Sequence, residues 1–109
     1  MPLLKPAHHL ILILLAEEPT YGVALLERIE ERSEGAIRLN AGSLYRTLAA
    51  LVDDGLVEAV EGAERPSGAG APRKSYATTD KGRHALLEEA RRQASLLDAV
   101  RALGLEDAR

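Results

Sequence analysis

Residues 40–55 read NAGSLYRTLAALVDDG and predict one short helix. Asn40 is a favourable N-cap residue, Gly55 readily takes the left-handed conformation that ends many helices, and no proline interrupts the residues between them. At 3.6 residues per turn, four aliphatic side chains fall on one side and are expected to be buried: Leu44, Leu48, Leu51 and Val52. We expect the rest of the domain to pack around this helix.

The opposite side of the same helix has a composition that suits DNA. It carries Ser43 and Arg46, with Tyr45 and Thr47 on its flanks, and no acid occurs before Asp53. Because the first amides of a helix point outward with partial positive charge, a helix start without carboxylates can approach a phosphate backbone. An ordinary amphipathic surface helix would show the same pattern, and this segment alone does not decide between the two.

Composition limits the architecture. A chain of 109 residues, 46% of them hydrophobic, suits one domain with one core. With three Tyr and no Phe or Trp, the core must consist of Leu, Ile, Val and Ala, which favours helices. The absence of cysteine excludes disulfides and thiolate chemistry. The longest apolar run, residues 10–16, is far below the ~20 residues of a membrane span, so we expect a cytoplasmic protein.

Positive charge is concentrated in two stretches, although the net charge is −3. The net value argues against indiscriminate coating of nucleic acid, but binding depends on the local field. Residues 36–50 contain two basic residues, Arg38 and Arg46, and no acid. Residues 65–83 contain a single acid, Asp80, and five basic residues: Arg65, Arg73, Lys74, Lys81 and Arg83. These two stretches are therefore the candidates for contact with DNA.

Two helices are predicted before residue 36. The apolar residues 7–16, with Pro6 in the first turn, suit a central helix. Thr20 is expected to cap a second helix over residues 21–32, with four inward side chains: Val23, Leu25, Leu26 and Ile29. Gly22 is unfavourable in a helix, which suggests close approach by another backbone, from a packed helix or from DNA. Residues 36–39 are predicted to be a short strand, as in a helix-turn-helix with an inserted strand.

A β-hairpin is predicted over residues 56–78. Residues 56–61 and 73–78 read as its strands, and residues 62–72 are rich in Gly, Pro, Ala and Ser. Arg65 on one side of the tip and Arg73 and Lys74 on the other favour phosphate contact, although a connector without function would have a similar composition. This hairpin and its loop are called the wing.

A long helix is predicted to end the chain, from Asp80 to about Leu103, with Thr79 as its cap and Gly104 after its end. Its apolar stripe centres on four residues: Leu86, Ala90, Leu97 and Val100. A small domain cannot cover the whole stripe, so a second copy of the chain is expected to cover it in a two-fold dimer. The alternative is a monomer in which the helix folds back. On the dimer reading, residues 1–78 form the DNA-binding domain and residues 79–109 the dimerisation helix.

Catalysis and metal binding are not expected. His8, His9 and His84 lie on different predicted elements or point apart, and no nucleophile, carboxylate or phosphate loop completes a site with them. We therefore predict neither a cofactor nor an enzymatic activity.

Three motifs resemble those of PadR-type transcriptional regulators: GSLYRTL at residues 42–48, DGLV at 54–57 and RKxYxxTxxG at 73–82. The resemblance extends over nearly the whole chain and is closest to the smaller branch of the family. It implies a mainly α fold with a small β-hairpin, that is, a winged helix-turn-helix plus a long C-terminal dimerisation helix. It also implies repression by a homodimer on a pseudo-palindromic operator.

The resemblance implies a set of contact residues. The DNA-binding residues would be Tyr21, Asn40, Ser43, Tyr45, Arg46 and Thr47, with Arg65, Arg73 and Lys74 in the wing. Ala49 and Ala50 stand where many relatives carry Lys or Arg, so fewer phosphate contacts are expected there. The partners would be double-stranded DNA, a second copy and a small-molecule effector of unknown identity. Because the final helix contains no aromatic residue, a stacking pocket for such an effector is not expected. A winged helix used only for protein contact is the alternative.

Overall fold

The computed structural model describes residues 4–61 and 74–105. Within these residues, four helices accompany a three-stranded antiparallel sheet. In chain order the elements are α1 (Pro6–Glu17), β1 (Thr20–Tyr21), α2 (Gly22–Arg32), α3 (Ala41–Asp53), β2 (Val57–Glu61), β3 (Lys74–Thr78) and α4 (Asp80–Ala102). The predicted class, mainly α with a small hairpin, is confirmed. No helix in this part of the chain is long and apolar enough to cross a membrane.

Helix α1 forms the centre of the domain, as its almost continuous apolar sequence predicts. It buries four side chains completely: Ile11, Leu12, Leu14 and Leu15. Leu25 and Ile29 of α2 pack into the same core, together with residues of α3 and the hairpin. The core therefore consists almost entirely of aliphatic side chains, in agreement with the composition.

Helix α3 has the predicted cap and the predicted end. The side-chain Oδ1 of Asn40 accepts a hydrogen bond from the backbone N–H of Ser43 at 2.8 Å, and Gly55 has a φ of 76°. Three leucines form the buried side: Leu44, Leu48 and Leu51. The prediction that Val52 is buried is wrong, because the buried stripe is narrower than expected and leaves this side chain 38% exposed at its edge.

The third strand of the sheet lies before α2, where no strand was predicted. Thr20 pairs with Tyr76 and Tyr21 with Ser75, so β3 lies between β1 and β2. This pairing keeps residues 20–21 extended, and α2 begins at Gly22. The cap predicted for Thr20 is therefore wrong: its hydroxyl donates to the Glu18 carbonyl at 3.1 Å instead.

The strand predicted at residues 36–39 is absent from the described part of the chain. Ser33, Glu34 and Gly35 form a tight turn in which the last two have φ angles of 54° and 81°. The Ser33 hydroxyl then accepts a hydrogen bond from the backbone N–H of Ile37 at 3.0 Å. These local bonds hold the segment as an irregular connection, and it has no neighbouring strand.

Val23 of α2 was predicted to face inward, and this prediction is wrong because its side chain is 53% exposed.

The hairpin and the last helix follow the sequence closely. Strands β2 and β3 pair in register from Val57 opposite Thr78 to Glu61 opposite Lys74. The loop between them, including Arg65 and Arg73, lies outside the described residues. Helix α4 begins with Thr79, whose hydroxyl accepts a hydrogen bond from the backbone N–H of Gly82 at 3.1 Å.

Candidate nucleic-acid interface

The first turns of α3 present a polar, solvent-exposed surface. Arg46 is exposed, and its guanidinium bends back toward the helix start, as long side chains on a helix do. Its Nη2 lies 3.5 Å from the hydroxyl oxygen of Ser43, a long hydrogen bond that leaves most of its donors available. The Oδ1 atom of Asn40 already accepts the capping hydrogen bond. This surface therefore offers one guanidinium, one hydroxyl and the start of a helix.

The electrostatics of this surface favour an anion. The first turn of α3 contains no acidic residue. Asp53 lies at the far end of the helix, about 15 Å from Ser43 along the helix axis. The helix dipole adds partial positive charge at the start of α3. Arg38, also in the predicted basic stretch, lies 3.6 Å from the carboxylate of Glu30 and is partly neutralised. Arg46 therefore carries the positive charge of the exposed α3 surface.

All three tyrosines of the chain line one groove beside this surface. Tyr21 and Tyr76 come from neighbouring strands, Tyr45 comes from α3, and Lys74 completes the rim together with Gly22 and Val23. The fold thus brings Tyr21, Tyr45 and Lys74, three residues predicted to contact DNA, into a single concave region. These residues lie at the junction of α2, α3 and the base of the wing.

Gly22 makes room for Tyr45 in this groove. A β-carbon at Gly22 would lie 2.7 Å from Cζ of Tyr45, closer than real contacts allow, and 3.0 Å from its Cε1. The close neighbour of Gly22 is therefore a side chain of the packed helix α3 and not its backbone, and an approach by DNA stays a prediction. Tyr45 remains 46% exposed, so the ring is positioned by α2 while part of it stays accessible.

Of the other predicted contact residues, Thr47 is half-buried on α3 and does not line the groove. Lys74, at the rim of the groove, is exposed at the start of β3. Arg65 and Arg73 lie outside the described residues. Val23 and Tyr76 were not predicted as groove residues: Val23 was expected to face inward, and Tyr76 had been assigned only to the sheet. The three tyrosines come together because β1 pairs with β3 and because α3 packs beside α2, and neither contact is visible in the sequence.

A second exposed surface runs along the C-terminal half of α4. Leu86 packs partly against the domain's own core, but Ala90, Leu97 and Val100 are exposed. The last two are each 45% exposed, and further aliphatic side chains near them are exposed to a similar extent: Leu87, Leu96, Leu103 and Leu105. In this single chain the predicted dimerisation stripe is therefore uncovered beyond Leu86.

Ion pairs and titrating groups elsewhere serve the fold. Glu17 at the end of α1 accepts hydrogen bonds from Arg32 at 2.6 Å and from Arg28 at 3.0 Å, and the bond from Arg32 is the main cause of its lowered pKa. Burial lowers the pKa of His8, and nearby Lys5 acts in the same direction. Among residues 4–61 and 74–105, no group of three His, Cys, Asp or Glu is arranged to hold a metal ion.

The family comparison matches most of the chain. Residues 11–88 match the model of the transcriptional regulator PadR-like family. This range includes the second half of α1, the groove, α3, the wing and the first turns of α4. No functionally curated protein matches the sequence significantly.

Solved structures with the same fold cover nearly the whole chain. A PadR-like transcriptional regulator from Bacillus cereus is 26% identical, with a TM-score of 0.71 over 88% of each chain. A PadR family transcriptional regulator from Eggerthella lenta is 29% identical, with a TM-score of 0.68 over 94% of this chain and 82% of that one. RosR of H. salinarum is also 29% identical, with a TM-score of 0.68 over 96% of this chain and 94% of that one.

Proposed function

The chain belongs to the PadR-like family of transcriptional regulators, and we propose that it is a repressor that binds a pseudo-palindromic operator as a homodimer. Members of this family are DNA-binding transcriptional regulators and not enzymes. The dimer, the operator and the repression are the proposed parts. In the bound state, the winged-helix part up to residue 78 contacts DNA and the segment from residue 79 joins the two copies.

The exposed, carboxylate-free start of α3 is the observation that carries this proposal. A helix that enters the major groove must bring donors to base edges without placing acids against phosphates. Ser43 and Arg46 offer such donors, and both lie on the side of α3 that faces away from the buried leucines. Arg46 suits either bidentate recognition of guanine or a phosphate contact.

The groove and the wing would complete the contact. Tyr21, Tyr45 and Lys74 share one concave surface, so a single DNA strand that passes the start of α3 could meet all three. Asn40 and Thr47 flank the same turns of α3, and Arg65 and Arg73 belong to the wing by sequence. We assign the residues of α3 and its cap to the major groove, and the basic residues of the wing to the DNA backbone or the minor groove.

The uncovered aliphatic side of α4 supports the homodimer. An exposed patch of this kind commonly marks a protein interface, and a two-fold pair is the commonest way to cover it. We assign Leu97 and Val100 to the centre of the interface, with Ala90 and the outer edge of Leu86 beside them. Two copies joined in this way would present two α3 helices to successive major grooves, about 34 Å apart.

Selection from random duplex DNA with the purified protein tests the proposal, followed by gel shifts on the selected sequence and on the DNA upstream of the gene. We expect a selected motif with two-fold symmetry. Arg46→Ala should weaken binding by about 1–3 kcal/mol and relax one base position in each half-site. Arg91→Ala, which removes an equal charge from an exposed position of α4, is the matched control. Failure to enrich any sequence would contradict operator binding and would favour a role in protein contact.

A further inference from the structure

The start of α4 is joined to the end of α3 by three hydrogen bonds to consecutive backbone carbonyls. The Lys81 ammonium donates to the carbonyl of Asp54 at 2.7 Å, and the Thr79 hydroxyl donates to that of Gly55 at 2.6 Å. The Thr79 backbone N–H donates to the carbonyl of Leu56 at 3.0 Å. We call this group of contacts the α3–α4 junction.

Steric packing tightens the same junction. Gly82 is buried in the first turn of α4, and a β-carbon there would lie 3.2 Å from the carbonyl carbon of Leu56 and 2.6 Å from Cγ2 of Thr78. The backbone of α4 therefore lies directly against the α3–β2 turn. On the outside of the turn, the aliphatic part of Lys81 packs over Gly55. Its Cδ lies 3.6 Å from the position that a β-carbon on Gly55 would occupy.

The chemistry of these contacts suits a fixed joint between two helices. The last carbonyls of α3 have no partner within the helix and carry partial negative charge, which the Lys81 ammonium complements. The Thr79 hydroxyl both donates to Gly55 and accepts from Gly82, so one side chain joins the turn after α3 to the first turn of α4. Three bonds to successive peptide units leave little freedom for the angle between the helices.

From these contacts we infer that Thr79, Lys81 and Gly82 are positioning residues for DNA recognition, which hold α3 at a fixed orientation relative to α4. The inference rests on the proposed function, in which paired α4 helices set the spacing of two α3 helices. The start of α3 lies about 18 Å from the junction, so a tilt of ~10° there would move it by ~3 Å, close to the rise of one base pair. The junction would therefore determine which half-site spacing the dimer accepts.

A spectroscopic distance measurement tests the joint itself. The chain has no cysteine, so Ala49→Cys on α3 and Glu88→Cys on α4, both at exposed positions, accept spin labels at these two sites only. Mixing with excess unlabelled protein restricts the measured distances to one subunit. We expect a narrow distance distribution in the parent protein and in Lys81→Arg. We expect a broader one in Lys81→Met, which keeps the aliphatic stem but loses the hydrogen bond to Asp54.

Lys5→Met is the matched control, because it makes the same change at an exposed position before α1. Thr79→Val should broaden the distribution further and Thr79→Ser should not. Thermal melts identify any variant that fails to fold, and the Lys81 series remains decisive if Thr79→Val does so. Equal widths in Lys81→Met and the parent protein would overturn the inference.

Binding to the selected operator supplies the functional readout. The parent dimer should discriminate strongly between this operator and one with a base pair inserted at its centre. In Lys81→Met the ratio of the affinities for these two duplexes should fall about fivefold, which is the scale of one hydrogen bond. The affinity of this variant for an isolated half-site should stay unchanged. A uniform loss on all three duplexes would show that Lys81 has no positioning role. If the parent protein selects no DNA, the proposed function fails, and the distance distributions still decide whether the joint is fixed.

Discussion

The ring of Tyr45 occupies the space that a side chain at Gly22 would need. This contact joins the start of α2 to the exposed side of α3, within the groove that all three tyrosines line. It explains a glycine at a helical position where that residue costs up to ~1 kcal/mol relative to alanine. The contact also fixes the direction of one candidate DNA contact by means of a residue on another helix.

Replacing Gly22 with alanine should therefore weaken DNA binding through Tyr45. The new β-carbon must displace the end of the tyrosine ring, which can rotate, so the fold should survive. We expect operator affinity to fall by about fivefold, or ~1 kcal/mol. A double-mutant cycle with Tyr45→Ala measures the coupling: in that background Gly22→Ala should have almost no further effect. An equal effect in both backgrounds would show that Gly22 acts independently of Tyr45.

Gly82→Ala should lower stability, although alanine is the better helix former. Its β-carbon would overlap the backbone of Leu56, which cannot move without breaking the α3–α4 junction. We expect a loss of about 1–3 kcal/mol in the free energy of unfolding, measured by denaturant titration. Gly42→Ala in the first turn of α3 is the control, because its β-carbon would find ordinary contacts at 3.4 and 3.5 Å. That variant should be neutral or more stable by up to ~1 kcal/mol. Equal stability of the two variants would contradict the packing at Gly82.

Local signals in the sequence predict most of this fold. The caps at Asn40 and Thr79, the glycine after α3 and the apolar pattern of α1 depend on neighbouring residues, and the structure confirms them. Strand β1 could not be predicted, because residues 20–21 become a strand only by pairing with residues 75–76. The contact between Gly22 and Tyr45 depends in the same way on how α2 packs against α3. Sequence therefore located the start of α3 after Asn40, but not the groove beside it.

Stability should depend on pH through His8. Burial disfavours the imidazolium, so the folded protein holds the pKa of His8 below its ordinary value of 6.5. Between 6.5 and that lower value the unfolded chain binds more protons than the folded one, so stability falls as pH falls through this window. Melting temperatures measured from about pH 7.5 to about pH 5 should decline less steeply in His8→Asn. His84→Asn, at an exposed position of α4, is the control, and an unchanged slope in His8→Asn would refute the assignment.

The wing should contribute to the salt dependence of binding. Lys74 is exposed at the rim of the groove, where it can neutralise a phosphate. Lys74→Ala should lower the slope of log affinity against log salt by roughly one unit, and adding Arg73→Ala should lower it by about one more. Lys5→Ala removes an equal charge at a position outside the wing. Slopes that match this control would mean that the wing does not contact the DNA backbone.

The dimer should depend on the far half of α4. Leu97→Glu and Val100→Glu place carboxylates on the exposed aliphatic side, where burial against a second copy would be costly. We expect both variants to sediment as folded monomers and to lose operator binding. Ser95→Glu adds the same charge on the opposite side of the helix and should remain dimeric. A dimer that survives both stripe substitutions would have a different interface.

Hydroxyl-radical footprinting of the selected operator tests most directly whether two α3 helices bind successive major grooves. A dimer arranged as we propose should protect two patches on one face of the duplex, about 34 Å or one helical turn apart. Arg46→Ala should weaken both patches together. A single protected patch, or continuous protection without a two-fold pattern, would contradict the proposed arrangement.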